Sequence, residues 1–506
     1  MRNYSRDRHD RVRACGNLRT DAIATGIRLA LDTRNSDTAF ASVAELAPRI
    51  SSGDLSPVDL VQSSLDRISQ LNPKLNAFLK VWSDSALDDA RKAEQTIAAG
   101  GYLGPLHGIP VGLKDLIDVA GEETTGASAV LAGSIAESDA TVVTKLKAAG
   151  AILIGKLNLH EFAFGLTGIN SHTGDVKNPW DTARITGGSS SGSAAAVASG
   201  MVPLALGTDT GGSVRLPASL CGIAGLKPTY GRVSRAGILD LSWSMDHVGP
   251  MTRSTEDCAL LLNTLAGHDP RDPASSEKTV SDFTSNLNAG LNGLKIGVPS
   301  DYFFDESVDS EFVASVRAAI ELMAQNGAKI VEIPMPWVGL GRIINLGVIK
   351  PEAVSVHEHM LADRADLYTP ATLSRIQSGY NVSAIDYVRA QRARQWFSHQ
   401  MAESMKQVDV LITPSSPIQT PTIADCMPTP GKQIAGGELA MFTGVFDTTG
   451  QPSHSIPCGF TENGMPIGMM ISGHPFDEST VLRVGNAYEK LTSWHQRSPA
   501  DIPATN

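Results

Sequence analysis

The chain has 506 residues, 42% of them hydrophobic and 19% charged, with a formal net charge of −11. This is the make-up of a soluble globular protein, and its negative balance argues against nucleic acid or an anionic membrane as the main partner. No apolar run reaches the ~18–20 residues of a spanning helix, and the scattered Cys15, Cys221, Cys258, Cys426 and Cys458 form no CxxC pair, which argues against disulfides or zinc and for a reducing cytoplasm.

Residues 1–36 hold eight arginines, no lysine and four aspartates. We read residues 1–39 as an extended, unstructured segment, although an arginine-rich, acid-poor start is also transit-peptide composition. From Ser42, SVAELAPRISSGDLSPVDLVQSSLDRISQLNPKLNAF predicts two amphipathic helices broken at SSGDLSP, the second capped by Ser56 and opened by Pro57. SDSALDDARKAEQTIAAG predicts a further helix. HGIPVGLKDLIDVAG (His107–Gly121) then carries a short apolar run suited to a buried strand. SDATVVTKLKAAG reads as a capped helix, AILIGKLN as a strand, HEFAFG as a helix start or loop, and MVPLALGTDT as a strand. LKIGVP, AKIVEIP, VDVLITP and PIGMMISG predict more strands, the last followed by the helix DESTVLRVGNAYEKLTSWH. Strands alternating with helices predict an α/β layer architecture. No long polar linker interrupts the pattern, so residues 40–498 read as a single domain.

The stretch ITGGSSSGSAAAVASG (Ile185–Gly200) is the chain's most unusual. It lacks the lysine of a phosphate-binding loop and the spacing of a dinucleotide fingerprint. Gly188-Ser189-Ser190-Ser191-Gly192 does match GxSxG, the nucleophile elbow, with Ser190 at its centre. An elbow needs a strand before it, however, and NPWDTARITG is a poor one. A structural helix-capping loop is the remaining local reading.

Two further stretches, Gly207-Thr-Asp-Thr-Gly-Gly-Ser-Val-Arg-Leu-Pro-Ala218 and Gly112-Leu-Lys-Asp115, follow in a definite order around this loop. With CGIAGLKPTYGRVSRAG (221–237) and DHVGPMTRS (246–254), they closely resemble the amidase signature family, from about Val43 to His495. The resemblance implies one α/β domain built on a large twisted mixed β-sheet with helices on both faces. It implies hydrolysis of linear amides by a Ser–cis-Ser–Lys triad without cofactor or metal. Carried over residue by residue, the nucleophile is Ser213, the bridging serine after a cis peptide bond is Ser189, and the base is Lys114. The backbone of Thr210, Gly211, Gly212 and Ser213 matches the oxyanion hole, with Ser190, Asp209 and Arg215 in support.

The residue types suit these roles. A serine hydroxyl is a weak nucleophile until a base takes its proton. Lysine is such a base only when neutral, and burial lowers its pKa from ~10.4. Lys114 follows Ile109, Val111 and Leu113 on the predicted strand, where desolvation is expected. The alternative is an ion pair with Asp115 or Asp118. One departure is visible: Ser191 stands where the family usually has glycine, and its hydroxyl could bond within the loop or compete with Ser189.

Free-standing amidases and the glutamine-hydrolysing A subunit of tRNA-dependent amidotransferases share all three motifs. The aromatic-rich LAMFTGVFDTTGQPSHSIPCG (439–459) and the 350–395 region favour a free-standing amidase; the alternative is the A subunit. Phe164, Gly165 and Thr167 align with an acyl-pocket segment, and Phe442 and Phe446, like Trp243 and Met245, are candidate apolar walls. Such walls would suit an apolar or aryl amide, anilide or carbamate. The expected partners are this small substrate and water, with no nucleic acid or membrane, and a homodimer is compatible with the reading. His357-Glu358-His359 is not a metal pair, because positions i and i+2 of a helix face different ways.

Overall fold

The computed structural model describes residues 38–427 and 437–499; the expected N-terminal segment lies almost wholly outside them. Eleven strands form one mixed sheet. They are β1 (Phe78–Val81), β2 (Pro110–Lys114), β3 (Ile152–Leu157), β4 (Leu204–Asp209), β5 (Ala224–Lys227), β6 (His247–Thr252), β7 (Lys295–Pro299), β8 (Lys329–Ile333), β9 (Val410–Pro414), β10 (Ser453–Phe460) and β11 (Pro466–Gly473). Their order is β1-β3-β2-β4-β6-β5-β10-β11-β9-β7-β8. β3, β2 and β4 are parallel, as are β9, β7 and β8, and the middle of the sheet is antiparallel.

Side chains alternate across the strands and so build two cores. On one face, Val111, Leu113, Leu204, Leu206, Ile412 and Met469 pack with helices Val43–Ser52, Thr255–Leu265 and Glu478–Leu491. On the other, Ile154 and Ala205 meet helices Pro57–Leu75, Ser83–Ala98 and Ser191–Ala198. Leu411 and Met470 continue that second face toward helices Leu340–Arg364, Ala384–Met405 and Thr443–Thr449. Burying each large aliphatic side chain contributes about 1.5–3 kcal/mol.

Local chemistry sets the boundaries. Ser42 forms a capping box with Glu45, and Ser56 accepts from the N–H groups of Val58 and Asp59, with Pro57 opening the helix. The expected cap of helix Thr141–Ala148 differs: Ala140 stands at its start with no side-chain bond. Asp139 instead accepts from Ala120 N (2.8 Å) and pairs with Lys147 (2.8 Å). The segment HEFAFG forms only a short 3₁₀ turn, Glu161–Ala163.

Four strands escaped the sequence reading. β1 and β5 have four residues each, and β6 and β10 contain Pro250 and Pro457, which read as breakers. The β5–β6 ladder spans Ala224–Gly225 against Met251–Thr252 and stops short of Pro250, which lies opposite Leu206 within the β4–β6 ladder. Pro457 adjoins a register shift against β11. No helix among the described residues is long and apolar enough to cross a membrane.

Candidate active site

β2 ends on Lys114 beside β4, which leads into the Thr210–Val214 turn and helix Arg215–Cys221. Between them, the loop Ile185–Ser190 feeds helix Ser191–Ala198. That helix is made of small residues because its neighbours are close. A Cβ on Gly192 would lie 2.4 Å from Ala77 O and 2.6 Å from the backbone of Asn158.

The peptide bond Gly188–Ser189 is cis. Lys114 Nζ donates to Ser189 Oγ (2.7 Å), Ser190 Oγ (2.9 Å) and Thr208 Oγ1 (2.7 Å). All four residues are buried. Burial lowers the Lys114 pKa to about 7, against the raising fields of Asp209 and Asp246. The ion pair considered for Lys114 goes elsewhere: Asp115 lies 3.3 Å from Lys156 Nζ.

The two serines at Lys114 differ in what their protons do. Ser190 Oγ donates to Thr208 O (3.1 Å) and accepts from Thr208 N (3.2 Å), so it brackets the end of β4. Among the described residues, Ser189 Oγ has only its hydrogen bond with Lys114. Its hydroxyl hydrogen is therefore uncommitted, as a relay requires. Ser190 N donates to Ser213 O (3.2 Å), which sets the Thr210–Val214 turn against the serine loop. The elbow reading of Ser190 fails on two counts: no strand precedes it, and its proton is engaged. Ser191 Oγ faces Ser189 O (3.5 Å), within the loop and away from the Ser189 hydroxyl.

Asp209 and Arg215 clamp the turn. Asp209 accepts from Gly212 N (2.6 Å), Val214 N (3.0 Å), and Arg215 Nε and its guanidinium (both 3.0 Å). Burial opposes ionisation of Asp209, but Arg215 outweighs it and holds the carboxyl well below its usual range. Arg215 also donates to Thr443 O (2.9 Å) and Asp447 (2.6 Å), tying the turn to helix Thr443–Thr449. Gly212 has φ +128°, and a Cβ there would meet Thr443 Oγ1 at 2.1 Å. Of the four N–H groups expected in the oxyanion hole, that of Gly212 is thus already held by Asp209.

The segment expected to line an acyl pocket, around Phe164, Gly165 and Thr167, lies against the cis bond. A Cβ on Gly188 would sit 3.0–3.1 Å from Gly165 O, Leu166 C and Gly168 N. Thr167 Oγ1 faces His160 Nδ1 (3.4 Å), and Arg375 donates to His160 Nε2 (2.9 Å) and Phe164 O (3.2 Å). Because arginine only donates, Nε2 is the acceptor and Nδ1 carries the hydrogen. Burial, then Arg375 and Lys114, lower the His160 pKa to about 3.

Phe442 and Phe446 are placed differently from expectation. Both are fully buried around Phe303, with ring centroids 4.9 and 6.1 Å away. They pack in one apolar cluster with Phe303, Val445 and Met470. Trp243 is 53% exposed and Met245 is buried against Asn345. His357 bonds Tyr368 (2.9 Å) within a buried aromatic cluster.

Sequence reasoning missed Thr208, Asp246, Asn345 and Asp447. Thr208 lies inside the quoted GTDTGG motif. Asp246 accepts from Thr210 Oγ1 (2.6 Å), Leu241 N (2.7 Å) and Ser242 N (2.9 Å), and burial pushes its pKa up to about 6.

Known proteins match this arrangement along its length. The family model described as Amidase covers residues 59–482. The A subunit of a glutamyl-tRNA(Gln) amidotransferase from Chloroflexus aggregans is 40% identical over 489 residues, 91% of this chain and 98% of the relative. A protein named Amidase from Pseudomonas putida is 41% identical over 467 residues, 92% of this chain and 98% of its own. Among solved structures, one chain superposes with TM-score 0.84 and 35% identity, over 89% of this chain and 98% of its own. It comes from a complex described as vestigial and as revealing the origins of an s-triazine catabolic enzyme.

These relatives correct two expectations. The exclusion of nucleic acid does not stand, since proteins this similar are named as subunits of a tRNA-linked amidotransferase. Net charge sums over the whole surface and says nothing of what a partner protein holds. The preference for a free-standing enzyme is likewise weaker than its alternative. What the matches establish is the family: the chain belongs to the amidase signature family of amide-hydrolysing enzymes.

Proposed function

We propose that the chain hydrolyses a small polar carboxamide of the glutamine type, releasing ammonia, as the A subunit of a larger assembly that acts on a tRNA-bound substrate. The observation that carries the chemistry is Lys114, dry, with a pKa of about 7 and 2.7 Å from Ser189. A neutral lysine can take a proton there at physiological pH.

In this reading Ser213 Oγ attacks the amide carbonyl. Its proton passes to Ser189 Oγ as the Ser189 proton passes to Lys114 Nζ. Backbone N–H groups of Gly211 and Ser213 receive the oxyanion, that of Gly212 being held by Asp209. Collapse breaks the C–N bond, and the proton returns through Ser189 to the departing nitrogen. Water then cleaves the acyl ester by the same relay, which restores Ser213.

The polar substrate follows from the surroundings. Phe442 and Phe446 belong to the core, which removes two of the aromatic walls that favoured an aryl amide. Arg375, Asp246 and Arg342 border the loop and the turn instead. A free-standing hydrolase is the second reading, favoured by the relative named simply Amidase.

The test is ammonia release from glutamine, glutaramate and an anilide panel by the purified chain, with Ser213→Ala as blank. Assays would be run alone and with partner subunits expressed from the same source. Ammonia from glutamine, enhanced by partners, supports the multi-subunit reading. Arylamine release by the chain alone, with no glutamine turnover, would overturn it.

A further inference from the structure

The turn after β4 is anchored along its carbonyl side. Asp209 O accepts from His247 Nδ1 (3.1 Å), Thr210 O from Asn345 Nδ2 (3.1 Å) and Gly211 O from Thr443 Oγ1 (2.8 Å). Gly212 O accepts from Leu216 N (2.8 Å) and Ser213 O from Ser190 N (3.2 Å). On the N–H side, Gly212 and Val214 both donate to the Asp209 carboxylate. The N–H groups of Gly211 and Ser213 donate to no other group among the described residues.

A trans peptide unit is planar and sends its C=O and its N–H in opposite directions. Gly188–Ser189 is the one cis bond among the described residues, so holding Thr210 O fixes the direction of the Gly211 N–H. The two free donors are held by different means. The Gly212–Ser213 peptide is fixed locally, by the first turn of helix Arg215–Cys221. The Thr210–Gly211 peptide is fixed by a side chain 135 positions away, on helix Leu340–Arg364.

That side chain has one orientation. Asn345 is buried, and its Oδ1 accepts from Arg342 (2.7 Å). Arginine only donates and a carbonyl only accepts, so Oδ1 faces Arg342 and Nδ2 faces Thr210 O. The second Nδ2 hydrogen meets Met245 Sδ (3.2 Å). Glycine at 211 and 444 leaves the amide its room, since a Cβ at either would sit 3.3 or 3.4 Å from Oδ1. Burying an amide carries a desolvation cost that leucine in the same volume would not.

We propose that Asn345, its amide set by Arg342, is a positioning residue for the oxyanion, holding the Thr210–Gly211 peptide so that the Gly211 N–H stands ready as Ser213 attacks. The proposal rests on the amide-hydrolysing reading above and adds a residue to it. A donor already aimed needs no reorganisation when charge develops. The bond into Thr210 O also polarises that peptide and strengthens its N–H as a donor. Both effects grow with the charge on the oxygen, so they favour the transition state over the bound amide.

The experiment uses the full chain. Asn345→Asp keeps the shape and the bond from Arg342 but offers Thr210 O no hydrogen, and Asn345→Leu removes the polar group altogether. Arg342→Met frees the amide to turn, whereas Arg342→Lys keeps a donor for Oδ1. Each variant would be measured for its urea midpoint, for kcat and KM on the amide that wild type cleaves fastest, and for the rate of Ser213 labelling by a fluorophosphonate. The phosphoryl oxygen of that probe takes the place of the oxyanion. Calorimetry would follow binding of the intact amide to Ser213→Ala with and without Asn345→Asp.

Both Asn345 variants should slow labelling and kcat by about ten- to a hundredfold, less than the ~10²–10³ lost with a whole donor. KM and binding of the intact amide should stay within about twofold. Arg342→Lys should recover most of the loss seen in Arg342→Met. Unchanged labelling in folded Asn345→Asp, a loss in Asn345→Asp but not Asn345→Leu, or a loss carried by KM and weaker amide binding would overturn the proposal. Should neither Asn345 variant fold, the Arg342 pair decides, and equal rates for Met and Lys would overturn it. Wild type with Ser213 unlabelled and no amide cleaved would sink the hydrolytic reading itself; Ser213 labelled as fast in Asn345→Asp as in wild type would sink this proposal alone.

Discussion

Replacing Lys114 with methionine changes how stability depends on pH, by an amount the structure sets. In the fold the Lys114 pKa is lowered to about 7, whereas an unfolded chain holds a lysine at ~10.4. Between these values the unfolded state binds a proton that the folded state does not. Wild-type stability therefore rises with pH relative to a variant without this group. One proton is ~1.4 kcal/mol per pH unit, so from pH 7 to 9 wild type should gain about 2 kcal/mol on Lys114→Met, the gain fading as pH nears ~10. Urea unfolding of both proteins at pH 7, 8 and 9 reads this directly. Lys114→Met also removes three hydrogen bonds to hydroxyls, which shifts the difference at every pH but not its slope. A pH-independent difference would mean that Lys114 stays protonated in the fold, and a permanently charged lysine cannot act as the base. The same group should appear in kcat/KM as a rise through about pH 7.

The two serines at Lys114 should separate in kinetics. Ser189→Ala should lower kcat by ~10²–10⁴, the size of lost acid–base catalysis, while Ser190→Ala should cost less and act more on stability; equal losses would refute the division of roles. Asp209→Asn leaves Arg215 facing a neutral amide and should destabilise the protein by about 3–5 kcal/mol, read as a lower urea midpoint; an unchanged midpoint would refute the clamp. Gly212→Ala should abolish turnover because its Cβ meets Thr443 Oγ1 at 2.1 Å and its φ is +128°; adding Thr443→Ala should restore little, since the backbone requirement remains.

The parts of the fold that could be read from sequence are those whose signal is local. β3, β4, β9 and β11 are dry apolar runs, and Ser42 and Ser56 cap helices with their own neighbours. The ordered motifs around Lys114, Ser189 and Ser213 were equally legible, because each needs glycine or small residues at fixed spacing to bring backbone and hydroxyl together. What stayed hidden was long-range. Arg342 and Asn345 reach Gly211 and Thr210 across more than 130 positions, and no spacing announces that. Phe442 and Phe446 were misread because residue type alone does not say which way a ring turns. The adjacency of Lys114 and Asp115 misled as an alternative, since neighbours on a strand point to opposite faces and Asp115 reaches Lys156 instead. β6 and β10 hid behind prolines tolerated past the end of the β5–β6 ladder and beside a register shift.

The central claim is that Ser213 becomes covalently acylated while Lys114 and Ser189 move the proton. Labelling the purified chain with a fluorophosphonate, followed by peptide mass spectrometry, tests it most directly. The account predicts one adduct on Ser213, absent in Ser213→Ala and formed far more slowly in Lys114→Met. An adduct on Ser190, or labelling and turnover that persist in Ser213→Ala, would contradict it.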